Sequence, residues 1–265
     1  MLFRSHWHDP ATRARTPVAV VYLHGFSASR GELAPVPERL ADSLGANLFV
    51  TRLAAHGRVD GEAFATVRPQ DWIDDAREAL AIGHRIGNRV IVLGMSTGAL
   101  LALELAAESP DSLRPAALLL GSPNYEPRDP RARFIAGPFG PTIARLVGGT
   151  HREFEATNAA HAALWTRRYR VEGIAALMDL VLAAQRLDLA GITVPVLTLY
   201  SRHDDVIRLD LVAANHARFG SPLKEIVDLP EATRHELASD ALVPAAVDPA
   251  VRVMLDFSRR ALAAR

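Results

Sequence analysis

The sequence contains no cysteine, which excludes disulfides, thiolate nucleophiles and cysteine-based zinc sites. It has no excess of charge of one sign either, because 30 basic residues balance 30 acidic ones. A balanced chain has no long-range field to gather a polyanion, so we expect no nucleic-acid partner. Apolar runs stay well short of the roughly 18 residues of a membrane span, and residues 1–18 contain no apolar signal-peptide core. We therefore expect a soluble, cytoplasmic protein without stable membrane insertion.

Lysine is also nearly missing, since Lys224 is the only one and the other 29 basic residues are arginines. Two arginine clusters, at 128–133 and 167–170, could in principle hold an anion. We interpret them as solvent-exposed charges, because their surroundings are polar and loop-like. A bias in codon usage would explain why these exposed cations are arginines and not lysines.

Short apolar runs alternate with helical patterns along most of the chain. Most of the runs are continuously apolar, which is typical of strands buried on both faces of a parallel sheet. They lie at 18–24, 47–53, 89–95, 115–121, 194–201 and 223–230, with helices predicted at 32–44, 70–86, 97–109, 207–219 and 247–263. The alternation predicts an α/β fold with a mostly parallel sheet of about six strands flanked by helices.

One interval, 125–189, breaks this rhythm. We predict no strand there, and helical segments at 153–165 and 171–187 follow a passage rich in proline and glycine. Because a structureless loop of this length is improbable inside a compact domain, we interpret the interval as a helical cap. The predicted organisation is a core of 1–124 and 190–265 with the cap inserted between them.

The segment GMSTG, residues 94–98, places Ser96 where the third apolar run ends and a helical pattern begins. Glycine on both sides, at Gly94 and Gly98, is what a tight strand-to-helix turn requires when its serine adopts a strained backbone. A helix cap at Ser96 is the alternative, but it does not explain two glycines at this spacing. The pattern therefore predicts a nucleophile.

A serine nucleophile needs a base and an acid, which in such a sheet follow the carboxyl ends of other strands. His235 follows the last predicted strand, and Asp204 follows the strand before it, giving the order Ser, Asp, His. Asp205 is the alternative acid, although the spacing to Val206 favours Asp204. His203 and His216 are interpreted as exposed or packing residues.

Four segments in this order, YLHGFSAS, GMSTG, SRHDDVI and TRHEL, resemble the α/β-hydrolase superfamily, and more closely the bacterial carboxylesterases and monoacylglycerol-lipase-like enzymes. The resemblance extends from about residue 18 to 260. The sequence departs from the family pattern in two places. Ser201 stands where the acid segment often has glycine. Too few residues precede the first run for the family's N-terminal hairpin, which we expect to be missing or reduced.

The resemblance and the expected geometry assign the oxyanion donors to the backbone N–H groups of Phe26 and Thr97. His24 and His56 would shape loops. His235 would take the proton of Ser96, an acyl-enzyme would form, and His235 would then activate water. Asp204 would hold the imidazole. This chemistry requires neither a metal nor an organic cofactor.

The substrate is the least constrained expectation. Phe26 and Met95, with apolar cap residues that include Phe134, Phe139 and Trp165, would form an acyl pocket, although about half of the cap residues would be the cap's own core. An apolar pocket favours a small-molecule carboxylic ester, with a short or medium acyl chain or like a monoacylglycerol. An amidase, peptidase or lactonase on the same triad is the alternative, and a non-catalytic receptor is a third hypothesis. The sequence leaves the oligomeric state open.

Overall fold

The computed structural model describes residues 4–58 and 60–264. The strands are β1 (Arg4–His6), β2 (Thr16–Leu23), β3 (Asn47–Val50), β4 (Gly87–Met95), β5 (Ala117–Gly121), β6 (His151–Glu153), β7 (Arg168–Arg170), β8 (Val196–Tyr200) and β9 (Lys224–Asp228). The α-helices are α1 (Val36–Leu44), α2 (Pro69–Ile86), α3 (Thr97–Glu108), α4 (Gly140–Gly148), α5 (Ala159–Leu164), α6 (Glu172–Ala184), α7 (Leu209–Arg218) and α8 (Val247–Ala263).

Seven of these strands form one sheet in the order β1-β3-β2-β4-β5-β8-β9. All neighbours are parallel except β1, which pairs antiparallel with β3. The six predicted strands are therefore confirmed, and the fold is an α/β-hydrolase fold. Strand β1 is only three residues long and lies at the edge of the sheet.

Both faces of this sheet are covered, which explains the continuous apolar runs. Along β2, Val21 and Leu23 point into one buried apolar cluster, whereas Val20 and Tyr22 point into the other. Side chains alternate across a strand, so a strand between two cores must be apolar at every position.

Helix α3 starts directly behind β4 and is buried along most of its length. Its composition is apolar on all sides because β4, α2 and α6 surround it. Burial on every side holds the start of this helix in one place relative to the end of β4. None of the helices in the described ranges combines the length and apolar character that a bilayer crossing requires.

The expectation that 125–189 contains no strand is wrong, because β6 and β7 pair antiparallel there. Both strands are three residues long and mostly charged, so no apolar run marks them. The predicted helices at 153–165 and 171–187 correspond to the shorter α5 and α6, and α4 lies before them. Helix α6 packs against α3, and its Met178 and Val181 belong to a core cluster. The division into core and cap stays a prediction.

Candidate active site

Ser96 lies in the turn between β4 and α3, and its backbone has φ 53° and ψ −110°. Positive φ is costly for a residue with a side chain, so neighbouring contacts must hold it. Its N–H donates to the carbonyl of Gly121 on β5 at 2.8 Å, and its carbonyl accepts the N–H of Ala99 at 3.1 Å. The strained serine is thus tied to the sheet on one side and to α3 on the other.

The glycines that flank Ser96 are required by close backbone approach. A Cβ on Gly94 would lie 2.3 Å from the carbonyl oxygen of Gly98. A Cβ on Gly98 would lie 2.0 Å from the carbonyl oxygen of Leu23 at the end of β2. Any side chain at either position would therefore push α3 away from the sheet and misplace Ser96.

Three side chains from separate loops meet at this turn. The Ser96 hydroxyl donates to Nε2 of His235 at 2.9 Å, and Nδ1–H of His235 donates to Oδ2 of Asp204 at 2.6 Å. All three residues are buried, whereas Asp205, the alternative acid, is exposed. The arrangement leaves Nε2 free to accept the serine proton, which is the geometry of nucleophilic acyl transfer.

The second oxygen of Asp204 is also occupied. Oδ1 accepts the backbone N–H groups of Val206 at 2.9 Å and Ile207 at 3.3 Å. These bonds fix the carboxylate plane, so that Oδ2 faces His235.

Two serines hold the loop that carries His235. The hydroxyl of Ser201 donates to the carbonyl of Ala232 at 2.5 Å, and the hydroxyl of Ser122 donates to the carbonyl of His235 at 3.1 Å. Ser201 is not among the described residues with positive φ, which explains why serine is tolerated where the family often has glycine. Its hydroxyl ties the loop of the acid to the loop of the base.

The charges at this site favour an ion pair. Burial favours the neutral ring, but the hydrogen bond and charge of Asp204 outweigh it and raise the pKa of His235 above its usual 6.5. Burial likewise opposes ionisation of Asp204, yet its hydrogen bonds from His235, Val206 and Ile207 lower its pKa. Both shifts stabilise an imidazolium next to a carboxylate, the charge state that forms when Ser96 loses its proton.

The predicted oxyanion donors lie beside Ser96. Thr97 is the first residue of α3, where an N–H has no helical carbonyl to bind. The N–H groups on both sides of Phe26 are engaged, with Gly25 donating to Oε2 of Glu32 at 2.7 Å and Ser27 donating to Nε2 of His56 at 3.0 Å. Within the described ranges the N–H of Phe26 has no hydrogen-bond partner. The hydrogen bonds of Gly25 and Ser27 hold the loop in place, while the N–H of Phe26 between them stays without a partner.

Two buried histidines shape this loop, as expected from the sequence. Nε2 of His24 accepts the N–H of Leu53 at 3.1 Å, and Nε2 of His56 accepts the N–H of Ser27. Burial lowers the pKa of His24 to about 4 and that of His56 well below its usual value. Both rings are therefore neutral acceptors near neutral pH.

Sequence reasoning missed Glu32. The sequence pattern predicts a helix at 32–44 that begins with this residue, but α1 begins at Val36 and Glu32 lies in the preceding loop. Its carboxylate is buried and accepts both the N–H of Gly25 and the hydroxyl of Tyr22, at 2.7 and 3.0 Å. Burial raises its pKa from 4.5 to about 7. Nothing in the local pattern distinguishes it from an exposed helical glutamate.

A cavity of about 380 Å³ opens onto Ser96 and His235. The predicted pocket residues Phe26 and Trp165 line it, together with Tyr169 and Leu177. The sequence did not predict the polar lining of the cavity, because its residues come from segments far apart in the chain. Besides Glu32, the polar lining consists of Asn124, Arg152, Glu155, Thr157, His161, Arg234 and Glu236.

Three predicted pocket residues lie elsewhere. Phe134 and Phe139 are 59% and 74% exposed, because the segment before α4 turns them outwards. Met95 is completely buried in the core cluster on the other side of β4, since successive side chains of a strand alternate between faces. The assignment of these three residues to the acyl pocket is therefore corrected.

Comparisons with known proteins identify the family of the chain and its fold. The family model Hydrolase_4, described as serine aminopeptidase, S33, matches residues 15–241. No curated protein matches the chain.

Several solved structures superpose on nearly the whole chain. One, reported for the metagenome-derived lipolytic enzymes LipS and LipT, has a TM-score of 0.76 at 20% identity and covers 93% of this chain and 95% of its own. A monoglyceride lipase from Saccharomyces cerevisiae has a TM-score of 0.73 at 15% identity, with coverage of 98% and 91%. A monoacylglycerol lipase from Paleococcus ferrophilus has a TM-score of 0.66 at 15% identity, with coverage of 97% and 98%. At these identities the likeness establishes the fold.

Proposed function

The chain belongs to the Hydrolase_4 family, described as serine aminopeptidase S33, and is a hydrolase; we propose that it cleaves carboxylic esters through Ser96, His235 and Asp204. The observation that carries the proposal is the pair of hydrogen bonds that joins these three buried side chains across 139 and 31 residues of sequence. Such a constellation activates a hydroxyl that would otherwise be a poor nucleophile at neutral pH.

The proposed reaction has two stages. Ser96 Oγ attacks the ester carbonyl carbon while its proton moves to Nε2 of His235, and the carbonyl oxygen becomes negative. The N–H groups of Phe26 and Thr97 bind that oxygen. The tetrahedral intermediate collapses as His235 returns the proton to the departing alkoxide, which leaves an acyl-Ser96. His235 then takes a proton from water, hydroxide adds to the acyl carbon, and Ser96 leaves with the proton restored.

The cavity supports an ester with an apolar acyl group. Phe26, Trp165, Tyr169 and Leu177 supply apolar and aromatic surface beside Ser96, which suits a short or medium acyl chain. Three of these four residues come from the interval 125–189, so this interval would act as the cap that covers the serine. The monoglyceride and monoacylglycerol lipases among the similar structures support a monoacylglycerol-like substrate.

A peptide or amide substrate is the second candidate. The family description names an aminopeptidase, and three acidic residues line the cavity: Glu32, Glu155 and Glu236. A free α-amino group is a cation that such carboxylates could bind. Acyl transfer needs the same serine, base and acid whether nitrogen or oxygen departs, so the triad does not distinguish the two.

Labelling with a fluorophosphonate probe tests the nucleophile. We expect rapid labelling of the folded protein, complete loss in Ser96→Ala, and no change in Ser29→Ala, a serine outside the triad. Absence of labelling at Ser96 would instead favour a non-catalytic receptor.

A substrate panel tests the leaving group. p-Nitrophenyl esters of increasing chain length are compared with aminoacyl p-nitroanilides at equal enzyme concentration. Turnover of the esters in wild type but not in Ser96→Ala supports the proposal. Appreciable turnover of the amides alone would replace it with the peptidase.

A further inference from the structure

Asn124 lies against the nucleophile but has no role in the triad. It follows β5, and its backbone N–H lies 3.5 Å from the carbonyl oxygen of Ser96. The residue is only 4% exposed, and it lines the same cavity as Ser96 and His235. The side chain is therefore shielded from bulk solvent and lies at the wall of that cavity.

The Oδ1 atom of Asn124 is buried and has no hydrogen-bond partner among the described residues. Buried side-chain oxygens almost always have a partner, because an unpaired one loses its bonds to water without replacement. An unpaired acceptor at the wall of a catalytic cavity is explained when a bound substrate supplies the missing donor.

His161, on α5, provides a hydrogen-bond donor at the wall of the same cavity. It is 5% exposed and lines the cavity. Its Nδ1 accepts the N–H of Thr157 at 3.2 Å, which places the ring proton on Nε2. That Nε2–H has no hydrogen-bond partner in the ranges 4–58 and 60–264. These two residues therefore offer the cavity an unused acceptor, from Asn124, and an unused donor, from His161.

We infer that Asn124 is a specificity-determining residue that accepts a hydrogen bond from a hydroxyl group of the ester substrate, while His161 donates to the same class of group. This inference rests on the proposed ester hydrolysis. A hydroxyl both donates and accepts, so it matches the two unused groups better than an ether or a methyl group. The substrate class is an ester with a hydroxyl close to the scissile bond, in either the acyl or the alcohol part.

Two pairs of esters of matched shape test this inference. In the first pair, 2-hydroxyethyl butanoate is compared with propyl butanoate, which replaces the hydroxyl of the alcohol part by a methyl group. In the second, propyl 3-hydroxybutanoate is compared with propyl 3-methylbutanoate, which does the same in the acyl part. We expect wild type to favour the hydroxyl ester in one pair by about ten- to a hundredfold in kcat/KM, and that pair identifies the part of the substrate that is recognised.

The variant Asn124→Leu should remove this preference, because leucine has similar size and no acceptor. The preference is a ratio of two substrates on one enzyme, so a general loss of activity cancels. Tyr125→Phe is the matched control: the Tyr125 hydroxyl is also buried and unpaired, but it faces the core and does not line the cavity. We expect Tyr125→Phe to keep the wild-type ratio.

Two outcomes would overturn the inference. One is equal kcat/KM within both pairs in wild type, and the other is an unchanged preference in Asn124→Leu. If none of the four esters is hydrolysed, the proposed function fails, and binding of the same pairs to Ser96→Ala by calorimetry decides this inference separately. Tighter binding of a hydroxyl ester that Asn124→Leu abolishes in that background would support it, and equal binding would refute it.

Discussion

Oε2 of Glu32 accepts the N–H of Gly25 at 2.7 Å, one residue before the N–H of Phe26 that we propose as an oxyanion donor. The contact is tight, because a Cβ on Gly25 would lie 2.6 Å from Oε1 of Glu32. Tyr22, on the interior strand β2, donates its hydroxyl to the same carboxylate. A buried acid thus connects the sheet to the loop that we propose binds the developing charge.

We expect Glu32→Gln to change how stability depends on pH. The pKa of Glu32 rises from 4.5 in the unfolded chain to about 7 in the fold, so between these values the folded state binds more protons and stability falls as pH rises. Between about pH 5 and pH 8, this one group removes about 2 to 3 kcal/mol from the free energy of unfolding. Urea denaturation at both pH values measures this loss. Between the two pH values, the free energy of unfolding of wild type should fall by that amount more than the free energy of unfolding of Glu32→Gln.

Glu231→Gln, which makes the same change at an exposed position, serves as the control for this measurement. Its stability should follow that of wild type at both pH values. Parallel curves for wild type and Glu32→Gln would show that Glu32 does not titrate with a raised pKa.

The pH profile of kcat/KM should report His235. The neutral ring is the base, so activity falls as pH decreases through its pKa, which Asp204 raises above 6.5. The negative charge of Glu236 contributes to this rise. We therefore expect Glu236→Gln to move the acid limb to lower pH. Glu231→Gln, an exposed change on the same loop, should leave it in place; a limb at the same pH in both variants would exclude a role for the charge of Glu236.

Asp204→Asn should reduce kcat by about ten-thousandfold, because an amide can donate to Nδ1 and stabilise the wrong tautomer of His235. Asp205→Asn changes the adjacent exposed carboxylate in the same way and should retain activity. Steady-state kinetics of the two variants, with circular dichroism to verify folding, makes the comparison. Equal losses would assign the acid to neither residue.

Gly98→Ala should destabilise the protein by about 3 kcal/mol or more, because the new Cβ would meet the carbonyl oxygen of Leu23 rather than a movable side chain. Fluorophosphonate labelling of any folded fraction should also slow, since Ser96 would shift with α3. Gly148→Ala is the matched change, because its nearest neighbour is a methyl group of Val171 at 3.8 Å. A Gly98→Ala variant as stable and reactive as Gly148→Ala would show that the turn tolerates a side chain.

The sequence alone indicated the sheet and the three triad candidates. Strands between two cores are apolar throughout, and that signal located six of the seven strands of the main sheet. The glycines around Ser96 have a local cause, because the turn cannot form with larger residues. Chain order and strand ends then indicated His235 and Asp204. In the structure, His235 is hydrogen-bonded to Ser96 on one side and to Asp204 on the other.

Cavity residues were predicted less well, and the failures share a cause. The apolar character of Phe134 and Phe139 predicts a place in the pocket, yet apolar character does not determine the direction in which a loop presents a side chain. Asn124, His161 and Glu32 were missed because each looks like an ordinary polar residue in its own segment. Their surroundings come from strands and helices far away in sequence.

What the sequence by itself determined was the α/β class, the strained serine turn and the order of nucleophile, acid and base, all of which depend on local pattern. Only the tertiary structure decided which carboxyl groups are buried, which acceptor lacks a partner and which aromatic residues reach the serine. These properties depend on desolvation and on contacts between distant segments, and such contacts exist only after the chain has packed.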